Sequence, residues 1–381
     1  MRLSVEVVPS LSAVDPNEWN ALSADNPFVE HEFLRLLEDS GSVGEGSGWL
    51  PTPLLVRDGK TLVGAAPAYL KTDSYGEYIF DWSLAQAAAR ARIHYYPKLV
   101  VAVPFTPATG PRLLVHPDQD AKEIEAALLT ALQRFREETD ASSVHVLFCT
   151  EEVAARNARG PILHRTTHQY HFENPGYETF DDFLSDLRSE HRKQIKKERR
   201  KIESQGLSTE LRPGTDLTGG EWSTLFELYT STSGRKWGRP YLTRAFFEEA
   251  GPRVGHRALV GFARSSSGKI VAGTLSFAKS STLYGRYWGC FEDFDGLHFE
   301  LCYYQLIEHA IRHRMTRVEA GAQGEHKIKR GFRPRAVHSL HAFAHRGLSQ
   351  AAARAFTAEQ ADLPETLEGL ATHLPFRRKN A

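Results

Sequence analysis

Cysteine, methionine and net charge are what this 381-residue chain has least of. Cys149, Cys290 and Cys302 are too few for a disulfide framework, and none stands in the CxxC spacing of a zinc ribbon. Lysine plus arginine equals aspartate plus glutamate, 47 each, so no global field draws the protein to nucleic acid or membrane. Any such contact must come from a local patch. No apolar run approaches the roughly 18 residues that suggest a spanning helix. The opening MRLSVEVVPS lacks the long apolar core of a signal peptide. The expectation is a reduced, cytoplasmic protein without a membrane span. What is present is an ordinary apolar fraction, 41%, enough for sizeable cores. The length favours two domains.

The chain contains itself twice. GKTLVGAAPAYLKTDSYGEYIF starts at Gly59 and GKIVAGTLSFAKSSTLYGRYWG at Gly268. The shared frame is GKxxxG, ten residues, then YGxY, with every aligned pair 209 positions apart, as Gly59 and Gly268 are. Each copy reads as a β-hairpin: PLLVR and ALVGFAR end at a Gly-Lys turn, TLVGAAPAYLK and IVAGTLSFAKS follow, and EYIFDW and TLYGRYWGCF are third strands. Helical stretches then span 84–92 and 298–314, followed by the strands KLVVAVPF and TRVEAGA. This order predicts two α/β (α+β) domains, each a mixed, mostly antiparallel sheet flanked by helices. We place them at 1–175 and 176–381, the second opening with a basic helix.

That helix, LRSEHRKQIKKERRKIE, carries Arg188, Arg192, Lys193, Lys196, Lys197, Arg199, Arg200 and Lys201 around a thin apolar seam of Leu184, Leu187, Ile195 and Ile202. It is either a solvated face or a phosphate-binding patch for tRNA or an anionic precursor. It has no interleaved aromatics, so base stacking is not expected there. A second charged segment, GAQGEHKIKRGFRP from Gly321, packs glycines and cations between two apolar runs.

NPFVEHEFLRLLEDSG, YYPKLVVAVPFTPATGPRLL, QYHFENPGYETFDDFL, LRSEHRKQIKKERRK, RKWGRPYL, YGRYWG, LHFELCYYQ and GAQGEHKIKRGFRP together cover much of the chain. In these blocks it resembles the FemAB-like branch of the GNAT (Gcn5-related N-acyltransferase) superfamily, a group labelled peptidoglycan biosynthesis/recognition. The departures are small: AIRHRM stands at a helix end that usually contains glycine, and the C-terminal tail is short. The resemblance implies two tandem GNAT-like domains. Fem ligands move an amino acid from aminoacyl-tRNA to a peptidoglycan precursor. The implied activity is therefore an N-acyltransferase moving an aminoacyl or acyl group onto a small-molecule or peptide amine. The donor is either aminoacyl-tRNA or acyl-CoA, with no permanently bound cofactor. A non-catalytic module that binds precursor or RNA is the alternative.

In a GNAT-like sheet two parallel strands splay and the acyl group lies in the gap. Here those strands are 282–291 and 317–323. Gly285, Gly289, Gly321 and Gly324 either permit close backbone approach or serve packing and bulges. Tyr284, Arg286 and Tyr287 stand on the first strand. Simple alternation puts Arg286 on the face of Tyr284. His298 and Glu300 open the next helix, and Gln323, Glu325 and His326 follow the second strand. Glu300, Glu325 or His326 is the candidate base and Tyr284 or Tyr287 the candidate acid, unless these groups form a buried structural network. A metal site built from His298, Glu300, Glu325 and His326 matches no usual ligand spacing, so none is expected. Lys327, Lys329, Arg330, Arg192, Lys196, Arg235 and Trp237 are the candidate substrate-binding residues. Gly331 and Phe332 read as a helix cap and a core plug. The loop EDFDGLHFE stands where a CoA-using GNAT cradles pyrophosphate, and Glu292, Asp293 and Asp295 would repel it. VPFTPATGPR reads as the first copy's counterpart of the GAQGEHK segment, and Cys302 as core.

Overall fold

The computed structural model describes residues 3–377 apart from Phe80, 237–239 and Gln323; for 233–236 it describes the backbone alone. The chain forms two compact units, 1–167 with 336–364 and 168–335 with 365–381. It thus passes between units at 167/168, 335/336 and 364/365, where the sequence reading placed a single boundary after residue 175.

The first unit holds β1 (Leu3–Val7), β2 (Trp49–Pro51), β3 (Leu54–Asp58), β4 (Thr61–Ala66), β5 (Ala68–Lys71), β6 (Lys98–Val101), β7 (Leu114–Val115) and β8 (Ser143–Cys149). Strands β1, β3, β4 and β7 make one antiparallel sheet. Strands β2, β5 and β6 pair antiparallel, and β6 runs parallel to β8. The expected strand TLVGAAPAYLK is broken at Pro67. Proline has no N–H for the ladder, and β4 and β5 on its two sides belong to different sheets. Helix Ala121–Glu138 is capped by Asp120, which accepts the Lys122 N–H, and buries Ile124, Leu128 and Leu132 against Leu54, Leu99 and Val144.

The expected third strand at 77–82 is not a strand among the described residues. Glu77 and Asp81 are instead drawn inward by Lys98. Its buried Nζ donates to Glu77 Oε2 at 2.8 Å, to Ser74 Oγ at 2.9 Å and to Asp81. A helix starts at Trp82.

Strand β9 (Leu163–Glu173) carries the chain into the second unit. There β10 (Ser208–Pro213), β11 (Ala258–Arg264), β12 (Ile270–Lys279), β13 (Thr282–Cys290) and β14 (Arg317–Glu319) follow. They lie in the order β10-β11-β12-β13-β14-β9, antiparallel throughout except for β13 with β14. The helical segment expected from Tyr177 onward is two helices, Phe180–Asp186 and Ser189–Ser204. Between them Leu187 bridges to Phe376, and the Arg188 N–H donates to Pro375 O. The core of this unit gathers Phe172, Phe183, Ile195, Leu283, Tyr304 and Phe332. Strand β15 (Arg333–Phe343) then leaves the second unit, and its residues from His338 onward pair antiparallel with β8. No helix among the described residues is long and apolar enough to cross a membrane.

Pairing resets the alignment of the two copies. β13 is antiparallel to β12 and parallel to β14; β6 is antiparallel to β5 and parallel to β8. The counterpart of TLYGRYWGCF is therefore KLVVAVPF, and that of the helix after it is Ala121–Glu138. The repeat holds for the Gly-Lys hairpins, whose Gly59 and Gly268 both have positive φ (61 and 82). It fails at YGxY, which is a turn in the first copy and strand in the second. VPFTPATGPR follows β6, so by topology it matches EDFDG rather than GAQGEHK. In it Phe105 N–H donates to Gly76 O, Gly110 N–H to Phe148 O, and Asn26 Nδ2 to Thr109 O. The loop thus packs down where β6 and β8 part.

Candidate functional site

The site is built where β13 and β14 separate. Their parallel pairing lasts three residue pairs, Thr282↔Arg317, Leu283↔Val318 and Tyr284↔Glu319. Directly after it, Gly285 comes so close to its surroundings that a Cβ there would sit 3.1 Å from Leu306 Cδ1 and 3.7 Å from Ala320 Cα. A cleft of about 100 Å³ opens at this point. β13 lines it with Gly285, Arg286, Tyr287 and Trp288, and β12 with Thr274 and Ser276. The helix after β13 adds His298, Cys302, Tyr303 and Leu306.

A bulge explains why three consecutive side chains of β13 reach one cleft. Leu275 pairs with Tyr287 and Ser276 with Gly285, so Arg286 has no residue opposite it. The extra residue breaks the alternation of the strand and re-aims its neighbours. Arg286 was expected on Tyr284's face; it lines the cleft with Tyr287, while Tyr284 is buried and is not among the residues lining the cleft. Burial, with the Glu319 carboxylate beside it, pushes the Tyr284 phenol up to about 12. The two glycines of β13 divide the roles left open by the sequence. Gly285 lines the cleft, whereas a Cβ on Gly289 would lie 1.9 Å from Leu228 O on a packed helix.

The helix after β13 runs from Leu297 to Arg312, with a π-helical turn at Glu300–Tyr304. Such wider turns recur at functional sites; this one carries Cys302 and Tyr303, both of which line the cleft. Tyr303 Oη lies 2.8 Å from His326 Nε2. His298 meets the Trp288 and Tyr303 rings edge-on, both at 5.3 Å. Neither Tyr303 nor Ser276 was singled out from sequence. The apolar i, i+3, i+4 pattern around Tyr303 reads as plain core, and Cys302, read as core, lines the cleft with its thiol pushed up by burial.

Glu300, a candidate base, is not among the residues lining the cleft. Arg199 of the basic helix donates to both its oxygens, Nε to Oε2 at 3.1 Å and Nη2 to Oε1 at 3.0 Å, and also to Glu308 at 2.8 Å. Arg330, a candidate ligand for phosphate, is buried in a second cross-link. Its Nη2 donates to the Glu198 carboxylate at 3.0 and 3.2 Å, and its guanidinium lies 3.3 Å from the Phe299 ring centroid. Lys327, placed in the same role, turns inward instead. Its Nζ donates to Gly321 O at 2.9 Å, and burial, with the Arg286 charge acting the same way, lowers its pKa to about 7. Glu325, His326 and Lys329 are exposed on the short helix Glu325–Arg330. Gly331 caps that helix with φ 91, and Phe332 is fully buried against Phe172 and Tyr303, as the sequence reading had them. Arg192 is half-buried, and Lys196 is exposed, 3.7 Å from Asp181. Trp237 and Gln323 lie outside the described residues, as does the side chain of Arg235.

The acidic loop before the cleft helix is closed off by the basic helix. Gln205 accepts the Asp295 N–H at 3.1 Å and donates to Asp295 O at 3.0 Å, and Lys201 pairs with the Asp295 carboxylate, holding it below the usual range. Glu292 and Asp293 remain exposed beside it.

No curated protein matches the chain in sequence. Among solved structures, FemX aligns with a TM-score of 0.55 and 11% identity over 92% of this chain and 99% of its own. L-PGS from Bacillus licheniformis gives 0.51 and 11% over 96% and 98%. The C-terminal domain of a putative lysylphosphatidylglycerol synthetase from Agrobacterium fabrum gives 0.51 and 8% over 92% and 97%. These likenesses concern the fold alone, a mixed α/β arrangement of sheets flanked by helices. By a family model that matches residues 10–378, the chain belongs to the FemAB-like family of peptidoglycan biosynthesis/recognition.

Proposed function

We propose that the protein is an acyl- or aminoacyltransferase whose reaction takes place in the cleft of the second unit. The observation that carries this is the short parallel pairing of β13 and β14, ending at a cleft of about 100 Å³ that Ser276, Arg286 and Tyr303 help to line. A gap between strands lets a carbonyl lie against fixed donors while an amine approaches it, the positioning on which acyl transfer depends. In the step we envisage, the amine nitrogen attacks the donor's carbonyl carbon. The C–N bond forms, the ester C–O bond breaks, and the leaving oxygen takes up a proton as the amine gives one up. Tyr303, in the cleft and joined to exposed His326, is placed to pass that proton outward. Arg286 supplies positive charge beside the developing oxyanion.

We further propose an oxygen ester such as aminoacyl-tRNA as donor, rather than acyl-CoA. At the helix N-terminus beside the cleft, the Asp295 amide is already engaged by Gln205, and Glu292, Asp293 and Asp295 oppose a pyrophosphate. The basic helix turns Glu198 and Arg199 inward, while Lys193, Lys197 and Arg200 stay exposed on its outer side for a polyanion. The reading is tested by incubating the protein with labelled aminoacyl-tRNA or acyl-CoA and a panel of amines, including peptidoglycan precursors. Transfer from aminoacyl-tRNA that falls about 10²-fold or more in Tyr303→Phe, in line with loss of a proton-transfer group, supports it. Efficient transfer from acyl-CoA would sink the choice of donor, and full activity of Tyr303→Phe would sink the relay.

A further inference from the structure

Ser276 is a fully buried residue of β12 that faces the cleft across from Gly285. Its hydroxyl has no hydrogen-bond partner among the described residues. Thr274, two positions earlier on the same face of the strand, is already engaged, accepting the Gly261 N–H at 3.2 Å. A buried hydroxyl left without a partner calls for an explanation, and one that borders a cleft finds it in a ligand. The cleft limits what that ligand can be. Its space of about 100 Å³ is room enough for a short acyl chain. No carboxylate is among its lining residues, and Arg286 is, so a cation at the end of the acyl chain, as on a lysyl or arginyl side chain, would be repelled.

We infer that Ser276 is a specificity-determining residue: its hydroxyl recognises an uncharged hydrogen-bonding group, such as a hydroxyl, on a short acyl chain held in the cleft. The occupant's being an acyl group rests on the transfer reading above; the recognition itself does not. A site built to hydrogen-bond a hydroxyl discriminates against the analogue that lacks it, because its own polar group is then left unpaired. Replacing the hydroxyl by a methyl group of like size is therefore expected to weaken binding about tenfold.

Cys302 lines the same cleft, so its modification reports occupancy without turnover. The protein is treated with methyl methanethiosulfonate at pH 9, which ionises more of a thiol that burial holds protonated, for long enough that Cys302 of the free protein is labelled, and labelling of the Cys302 peptide is followed by mass spectrometry. Three neutral amides are compared: glycolamide, its hydroxyl-free equivalent propionamide, and the bulkier isovaleramide. Glycolamide is expected to protect Cys302 at about tenfold lower concentration than propionamide, and isovaleramide, which also lacks the hydroxyl, no better than propionamide. Ser276→Ala should erase the difference. This variant loses only an unpaired hydroxyl, so its melting temperature should hold or rise. Equal protection by glycolamide and propionamide, protection by none of the three, or an unchanged ratio in Ser276→Ala overturns the inference. Seryl and alanyl donors are then compared by kcat/KM. Transfer from both with no seryl preference overturns the inference and leaves the transferase reading standing. Glycolamide protection without transfer from any donor overturns the transferase reading and leaves the role of Ser276 standing.

Discussion

Glu300 and Lys327 show what burial does to a charged side chain picked out from sequence. Both belong to the charged positions around the cleft strands, and both are satisfied from within. Glu300 takes two hydrogen bonds from Arg199. Glu300→Gln should destabilise the protein by about 2 kcal/mol, because a buried charged partner is lost while Arg199 keeps only Glu308. The folded fraction should escape the ~10²–10⁴-fold loss of rate that follows removal of a general base. Denaturant unfolding combined with turnover per folded molecule separates the two. Lys327 makes a pH-dependent prediction. Its pKa falls from an ordinary 10.5 to about 7 on folding. Between those values the unfolded chain binds a proton that the folded chain does not, so stability rises with pH across that window. Lys327→Met removes this proton uptake. Its melting temperature should vary less than the parent's between pH 7 and 10, and a slope equal to the parent's would contradict the assignment.

At the scale of elements, the sequence was legible wherever a local rule decides. The Gly-Lys turns, the strands ALVGFAR and TLYGRYWGCF, the cap at Gly331 and the plug at Phe332 all follow from glycine conformation and apolar patterning. It was illegible where a long-range partner decides. The bulge at Arg286 depends on β12, not on the residues of β13 alone. Glu77 and Asp81 leave the strand pattern because Lys98 draws their carboxylates inward. Spacing also could not tell which glycine of β13 serves the cleft and which serves packing. Against Gly289 lies helix Gly219–Lys236, whose Leu228 carbonyl oxygen and carbon would be 1.9 and 2.1 Å from an added Cβ. Both are backbone atoms and cannot rotate away. Gly289→Ala should therefore cost about 1–3 kcal/mol through overpacking. Gly285→Ala meets only the end of the Leu306 side chain at 3.1 Å and should cost less, while narrowing the cleft. Paired urea titrations of the two variants test this order; equal losses would mean that the helix yields.

At the scale of the whole molecule, the division after residue 175 failed because it followed the sequence repeat, whereas the units are defined by which strands share a sheet. β14 is only Arg317–Glu319, and it is held on its second edge by His171, Phe172 and Glu173 of β9. Those residues precede the expected boundary. Phe172 is fully buried and packs on Phe183 and Phe332. A fragment spanning 176–381 therefore lacks the strand that closes the sheet beside the cleft and leaves the Phe183 and Phe332 rings without their partner. Truncating a buried phenylalanine to alanine alone costs roughly 3–5 kcal/mol, comparable to much of the stability of an ordinary domain. The same fragment carries residues 336–364, which belong with the first unit and in its absence present apolar Leu348, Ala352 and Phe356 to water. Chain 176–381 should therefore be largely unfolded or aggregated. A chain that begins at 168, omits 336–364 and joins Arg335 to Glu365 through a flexible linker should fold better, since it keeps Phe172 and leaves out the apolar residues that belong with the first unit. Circular dichroism melts of the two fragments decide the matter. A cooperative transition in 176–381 equal to that of the linked fragment would show that β9 is dispensable to the second unit.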